Sequence, residues 1–307
     1  MSYIYEALQR AEAERTGTKE PVESGSLVDL LQKTEQRAAE IASAEQPKAI
    51  LVAEPTVAGE FSGVKVLVPM APPDARLICM TDQGSLAAEK FRVLGLKLRN
   101  LRESRNLKRI VVTGTAPEEG KSLIAANLAL NQGRSKVFKT LLIDGDLRRP
   151  TQATRFGFQR SLPGLSECLR GERTLSESVY KVNNSNLWLM PAGQVPENPL
   201  EAMQAGRVPE LLDQLGTFFD WVIIDTPPVI PVADTGFWMK LADGVLMVIR
   251  EGVSEKKTIE KALGSFDRSA LLGVVVNSCS STDHRYYYTR YGPAASSGEV
   301  SPTELEA

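Results

Sequence analysis

The sequence predicts an α/β fold, a mostly parallel sheet flanked by helices, and three observations point to it. Apolar runs recur at Arg109–Thr113, Thr140–Ile143, Leu187–Met190, Trp221–Ile224, Gly244–Ile249 and Leu272–Val276. They are continuous rather than alternating, as strands buried on both faces require. Helix-like stretches separate most of them, the order expected of a parallel sheet wrapped by helices. One run, Ile110-Val111-Val112-Thr113, feeds directly into a Gly120-Lys121-Ser122 turn and then a helix from Leu123 to Leu130.

Composition removes several function classes. The 307 residues carry 36 Lys and Arg against 38 Asp and Glu, a net charge of −2, so no nucleic-acid coat is expected. Cys79, Cys168 and Cys279 lie far apart and form no CxxC or disulfide pattern, which suits a reducing cytoplasm. His284 is the single histidine, which argues against a histidine metal site or a Ser-His-Asp triad. No apolar run approaches the roughly 18–20 residues of a membrane helix. The opening Met1-Ser2-Tyr3-Ile4-Tyr5-Glu6 lacks the basic start and apolar core of a secretory signal, so the expected location is the cytoplasm.

Along the chain, Ile4, Ala7, Leu8 and Ala11 recur at helical spacing and Gly17 ends that pattern, a terminal helix or a docking helix for a partner. Thr16 to about Asp74 is polar and rich in proline, with a short helical pattern from Leu27 to Ile41, and reads as a mostly flexible linker. Leu77-Ile78-Cys79-Met80 reads as a short strand. Ser85 to Leu101 is helical through Leu86, Phe91, Leu94, Leu98 and Leu101. This helix and the link after it are basic: Lys90, Arg92, Lys97, Arg99, Arg102, Arg105, Lys108 and Arg109 form either a solvated face or a contact surface for an acidic partner. The expected organisation is residues 1–75 as N-terminal helix and linker, 76–282 as the folded domain, and 283–307 as a tail.

Three motifs carry chemistry. In Thr115-Ala116-Pro117-Glu118-Glu119-Gly120-Lys121-Ser122-Leu123 a strand turns into a helix through a glycine that lets the backbone approach phosphate oxygens. N–H groups at the helix start favour an anion, Lys121 supplies a point charge for the β- and γ-phosphates, and the Ser122 hydroxyl suits Mg²⁺. The usual first glycine of such a loop is Thr115 here. Leu141-Leu142-Ile143-Asp144-Gly145-Asp146-Leu147-Arg148 ends a buried strand in two carboxylates, where ligands of open α/β sheets bind. Such a pair suits a metal and a proton acceptor. Trp221-Val222-Ile223-Ile224-Asp225-Thr226-Pro227 ends another buried strand in an acid, as the second carboxylate of a Mg²⁺-nucleotide site should. No guanine-recognition motif occurs, which favours ATP. Asn277, at the end of a buried strand, is a candidate contact for the adenine base. Tyr286, Tyr287, Tyr288 and Tyr291 cluster among Asp283, His284, Arg285, Thr289 and Arg290 in a polar end, unlike a packed strand.

The order and spacing of these motifs resemble the bacterial tyrosine kinases of the BY-kinase family, over about Leu77 to Tyr291. The resemblance implies a P-loop NTPase-like sheet with flexible ends, ATP and Mg²⁺ as cofactors, and autophosphorylation of the terminal tyrosines. It implies that Asp144 and Asp225 hold the metal, that Asp146 accepts the tyrosine proton, and that Lys121 and Arg148 stabilise charge on the transferred group. The loop from Pro117 to Leu123 would bind the nucleotide. It further implies control of exopolysaccharide or capsule polymerisation and export, a homo-oligomer, a tyrosine phosphatase, and a membrane-anchored polysaccharide co-polymerase that recruits the chain to the inner face of the membrane. The family's assembly helix reads Glu-x-x-Arg-x-x-Arg, whereas this chain has Glu89, Arg92 and then Gly95, with Lys97 nearby. A ParA/MinD-like ATPase switch and a nucleotide-binding regulator without kinase activity are the competing readings. Ala116 and Thr115 stand where the switch proteins carry a signature lysine, which argues against the first.

Overall fold

The computed structural model describes residues 50–52, 63–205, 207–230 and 232–278. The strands are β1 (Ile50–Val52), β2 (Val66–Val68), β3 (Arg109–Gly114), β4 (Thr140–Asp144), β5 (Tyr180–Val182), β6 (Leu187–Met190), β7 (Trp221–Asp225), β8 (Gly244–Arg250) and β9 (Leu271–Asn277). The helices are α1 (Ile78–Thr81), α2 (Leu86–Arg105), α3 (Lys121–Gln132), α4 (Gln152–Arg155), α5 (Leu165–Leu169), α6 (Leu175–Ser178), α7 (Pro199–Ala205), α8 (Val208–Phe218), α9 (Ala233–Leu241) and α10 (Lys256–Leu263).

Among the described residues the strands form one sheet in the order β1-β2-β5-β6-β4-β7-β3-β8-β9. From β6 to β9 every neighbouring pair is parallel. β5 runs antiparallel to β6, β2 pairs parallel with β5, and β1 runs antiparallel to β2. The mostly parallel α/β sheet read from the sequence is therefore what the chain builds.

Alternate residues of each central strand enter opposite cores, which explains the unbroken apolar runs. On one face Ile110, Val112, Leu142, Ile223, Leu246 and Val248 pack with Ile124, Ala125 and Leu128 of α3 and Phe91 and Leu98 of α2. On the other, Val111, Leu141, Ile143, Val222 and Ile224 pack with Leu211, Leu212 and Leu215 of α8 and Trp238 of α9. α3 lies between sheet and α2 and is buried almost all round, as a helix without a polar face must be. α2 begins at Ser85, whose side chain accepts the Ala88 N–H at 3.2 Å, and stops at Asn106 in the left-handed region.

Several expectations need correction. Leu77–Met80 is not a strand: Ile78–Thr81 turns as α1. The reason is Asn127 of α3, whose Oδ1 accepts the Cys79 N–H at 2.9 Å while its Nδ2 donates to the Arg76 carbonyl at 3.0 Å. These backbone groups are thus satisfied by a side chain instead of a neighbouring strand. Inside the stretch read as linker, β2 buries Val66 and Leu67 against the sheet. The basic set on α2 and the following link mostly serves the fold itself. Arg99 and Arg102 lie over the Phe138 ring at 5.7 and 5.2 Å, and Arg102 also over Trp221 at 5.0 Å. Arg105 donates to the Ser269 carbonyl, Lys108 to that of Gly216, and Arg109 pairs with Asp213. Gly95 faces α3, where a Cβ would overlap the Asn131 amide that donates to the Phe91 carbonyl at 3.1 Å. The position is an interhelical contact, so an arginine there would have to displace Asn131. The helical patterns at Met1–Arg15 and Leu27–Ile41 and the tyrosine cluster lie outside the described residues.

Candidate active site

The parallel strands deliver the three motifs to one end of the sheet. β3 stops at Gly114, the chain loops back through Thr115–Gly120, and α3 starts at Lys121 after Gly120 at φ 92°. The first N–H groups of α3 have no intrahelical acceptor and sit at the positive end of the helix dipole. Lys121 is 7% exposed and its Nζ donates to the Ala116 carbonyl at 2.7 Å, folding the side chain over its own loop. Burial lowers the Lys121 pKa, and the carboxylates of Glu119, Asp225 and Asp146 pull it back up. Pro117 and Glu118 are exposed at the loop tip, whereas Glu119 is fully buried.

β4 and β7 are hydrogen-bonded neighbours, and their register sets Asp144 opposite Asp225. Both carboxylates are fully buried. Asp144 Oδ2 accepts the N–H groups of Thr151 at 3.0 Å and Gln152 at 2.8 Å, so it anchors the start of α4. Asp225 Oδ2 accepts Gln152 Nε2 at 2.8 Å, and the same amide nitrogen donates to the Ser122 carbonyl at 3.0 Å. Burial first, and then the charge of Asp225, push the Asp144 carboxyl well above its ordinary range. Burial likewise pushes Asp225 up to about 6, against the Gln152 amide and the Ser122 hydroxyl, which hold it down.

The second oxygens of these two acids decide what the site can hold. Asp144 Oδ1, Asp225 Oδ1 and Gln152 Oε1 are buried and have no hydrogen-bond partner. Buried acceptors are normally paired, so three orphans around adjacent strand ends call for a donor or a cation. A hard divalent cation with oxygen ligands and retained waters fits this donor set. Among the described residues no group of three or more His, Cys, Asp or Glu side chains forms a metal cage by itself. A cation here would therefore complete its shell with hydroxyl, water and ligand oxygens.

The other expected residues fall as follows. Asp146 stands two residues past Asp144, partly exposed, its Oδ1 accepting the Arg148 and Arg149 N–H groups at 3.2 and 2.9 Å. Arg148 does not reach toward Lys121 but forms a two-point pair with the buried Asp234 of α9, Nε to Oδ2 at 2.7 Å and Nη2 to Oδ1 at 3.1 Å. Leu123 is half-buried in the first turn of α3. Asn277 Nδ2 donates to the Glu119 carbonyl at 2.9 Å, so in this structure the side chain braces the loop from behind. Sequence reasoning missed Gln152, Arg155 and Asp234. Arg155 is half-buried, donates to the Ala75 carbonyl at 2.9 Å and lies within the field of both buried acids. Thr151-Gln152-Ala153-Thr154-Arg155 reads as an ordinary polar stretch, and nothing local marks Gln152 as buried.

No protein-family model matches the chain. It is 35% identical over 216 residues to the tyrosine-protein kinase YwqD of Bacillus subtilis, spanning 69% of this chain and 89% of that protein. It is 30% identical over 210 residues to the putative tyrosine-protein kinase CapB of Staphylococcus aureus, spanning 68% of this chain and 91% of that one. Among solved structures, the chimerical protein CapA2B2 superposes with a TM-score of 0.61 at 33% identity, over 67% of this chain and 90% of the other. The kinase domain of the Escherichia coli tyrosine kinase ETK superposes with a TM-score of 0.61 at 26% identity, over 70% and 91% of the two chains. Both likenesses extend well beyond the phosphate loop, and on them the chain belongs to the bacterial tyrosine-protein kinase family, the BY-kinases.

Proposed function

We propose that the chain is an ATP-dependent protein-tyrosine autokinase whose substrate is its own cluster at Tyr286, Tyr287, Tyr288 and Tyr291. The observation that carries this reading is the pair of buried acids, Asp144 and Asp225, with unpartnered oxygens beside a buried lysine at a helix start. Mg²⁺-ATP, when bound, would supply the phosphoryl group and a cation that offsets its negative charge. The N–H groups at the start of α3 would hold the phosphates, and Lys121, which donates to the Ala116 carbonyl, would supply the positive charge beside them. Ser122, Asp144 and Asp225 are the metal-side residues. Asp146, at the partly exposed mouth, accepts the proton of the incoming tyrosine. A tyrosine pKa near 10 leaves little phenolate at neutral pH, but in a loose transition state the proton leaves late, and a carboxylate of ordinary basicity suffices. Arg148 is held at the same mouth by Asp234.

The relatives named tyrosine-protein kinases favour this activity over a switch ATPase. By the same family membership the chain regulates exopolysaccharide or capsule polymerisation and export, assembles with itself, and is opposed by a tyrosine phosphatase. Among the described residues no helix is long and apolar enough to cross a membrane. The membrane partner proposed from the family resemblance is a polysaccharide co-polymerase whose cytoplasmic segment activates the kinase.

Phosphosite mapping after incubation with Mg²⁺-ATP tests the reading, with wild type, Lys121→Met and a variant carrying all four tail tyrosines as Phe. Phosphate on residues 286–291 that vanishes in Lys121→Met is the expected result. Steady ATP hydrolysis without phosphotyrosine, even with the activating segment present, would overturn it.

A further inference from the structure

Glu119 is an ionisable side chain in the phosphate loop whose partners are the start of its own loop and Ser254. It has no exposed surface, and its two oxygens divide four donors between them. Oε2 accepts the N–H groups of Thr115 at 2.6 Å and Ala116 at 3.0 Å. Oε1 accepts the hydroxyls of Ser254, at 2.6 Å, and Thr115. Ser254 Oγ in turn accepts the Arg250 N–H at 2.9 Å. The main chain of the same segment is held from outside, with Asn277 Nδ2 on the Glu119 carbonyl at 2.9 Å and Arg250 Nη1 on that of Glu118 at 3.3 Å. Gly114 makes room for this arrangement, since a Cβ there would run into Glu119 Oε2 and stand 2.7 Å from the Val248 carbonyl.

The beginning and the end of the loop are thus tied across by one carboxylate, and that tie is moored to residues following β8 and at the end of β9. A carboxylate is an acceptor only, so four donors satisfy it without any contact to a ligand. We infer that Glu119 is a positioning residue: it fixes the curvature of the phosphate loop for nucleotide and couples that curvature to Ser254 and Asn277. This rests on reading the loop as the nucleotide site, and it assigns the side chain a role distinct from the backbone contacts of the same loop.

The bonding pattern separates geometry from charge. In Glu119→Gln the amide oxygen takes both N–H groups, and the amide nitrogen donates to two hydroxyls, which accept as readily as they donate. All four contacts survive without the negative charge. In Glu119→Ala two N–H groups lose their acceptor and nothing holds the loop across. Ser254→Ala removes one mooring of the carboxylate, together with the acceptor of the Arg250 N–H, and leaves the Asn277 and Arg250 contacts to the loop main chain.

The test is equilibrium binding of a fluorescent ATP analogue with Mg²⁺ to the full chain, alongside melting temperature and the KM and kcat of autophosphorylation. Glu119→Ala should weaken binding about tenfold and raise KM correspondingly, roughly the loss of one satisfied buried contact. Its kcat at saturating nucleotide should change much less. Glu119→Gln should return to within about twofold of wild type, and Ser254→Ala should weaken binding about threefold, intermediate between the two. Binding by Glu119→Ala equal to wild type would overturn the inference, as would Glu119→Gln as weak as Glu119→Ala, which would make the charge beside Lys121 the operative feature. Should Glu119→Ala fail to fold, Ser254→Ala decides: weakened binding at unchanged melting temperature supports the coupling, and wild-type binding overturns it. A wild-type chain that binds no nucleotide overturns the phosphate-loop reading itself and the inference with it, whereas binding lost in Lys121→Met keeps that reading in place.

Discussion

Replacing Asp225 by Asn should make the metal-free protein more stable while abolishing phosphoryl transfer. Asp225 has no exposed surface, its pKa is raised from 3.8 to about 6, and Asp144 beside it is raised as well. A carboxyl with a higher pKa in the folded than in the unfolded chain binds more protons when folded. Stability therefore falls as pH rises through the window between the two values, about pH 4 to 6, and stays low above it. The interval of about 2 units corresponds to about 3 kcal/mol lost at neutral pH. An Asn side chain is neutral at every pH, and its oxygen can keep the bond from Gln152 Nε2. In a domain of this size 3 kcal/mol is a rise of roughly 6–12 °C in melting temperature. The assay is thermal unfolding of wild type and Asp225→Asn in chelator at pH 5 and pH 8, repeated with Mg²⁺ and ADP at pH 8. The variant should gain most at pH 8, and the gap should shrink at pH 5, where the wild-type carboxyl is largely protonated. Mg²⁺ and ADP should stabilise wild type more than the variant. Equal melting temperatures in chelator at pH 8, or a gap that grows on acidification, would refute the reasoning.

Gln152→Ala removes the donor shared by Asp225 and the Ser122 carbonyl, so about 1–3 kcal/mol of site organisation should be lost. A Mg²⁺ titration of autophosphorylation should show the half-maximal concentration raised at least about fivefold. Glu118 sits at φ 62° at the exposed loop tip, a conformation that costs a side-chain-bearing residue about 1 kcal/mol. Glu118→Gly should raise the melting temperature by about 2 °C, and a fall would mean that the side chain contributes contacts outweighing the strain. Arg148→Ala leaves Asp234 buried beside no partner, so it should lower the melting temperature as well as the rate, by about 1–2 kcal/mol in urea unfolding. Unchanged stability would refute a net stabilising role for the Arg148–Asp234 pair.

The strands β3, β4, β6, β7 and β8 were legible because burial on both faces forces unbroken apolar runs, Asp144 and Asp225 because they end such strands, and Lys121 because it opens the helix after β3. The run of β9 was legible too, although β9 lies at the sheet edge with Val274 and Val276 about half exposed. The short strands toward the other edge were not. β1, β2 and β5 have three residues each, too few for a period to show. Leu77–Met80 is apolar in either a strand or a helix, and Asn127, 48 residues from Cys79, makes the choice. In the site, Gln152 and Arg155 are hidden because their role comes from where α4 lands, not from their neighbours in sequence. Arg148 has the expected place but a partner 86 residues away, Asp234, that local pattern does not announce.

The edge built by β1 and β2 has a mechanical consequence. β1 joins β2 through three register pairs, with Ile50 opposite Val68, and β2 joins β5 through two. Tension applied upstream of Ile50 acts at the open end of that ribbon and parts it one pair at a time, the weakest direction for a short pairing. The three pairs of β1 and the two of β2 would part at a lower load than the longer ladders of β4 and β7. The weak edge would thus cap the tension that a pull from upstream of Ile50 can transmit to the phosphate loop.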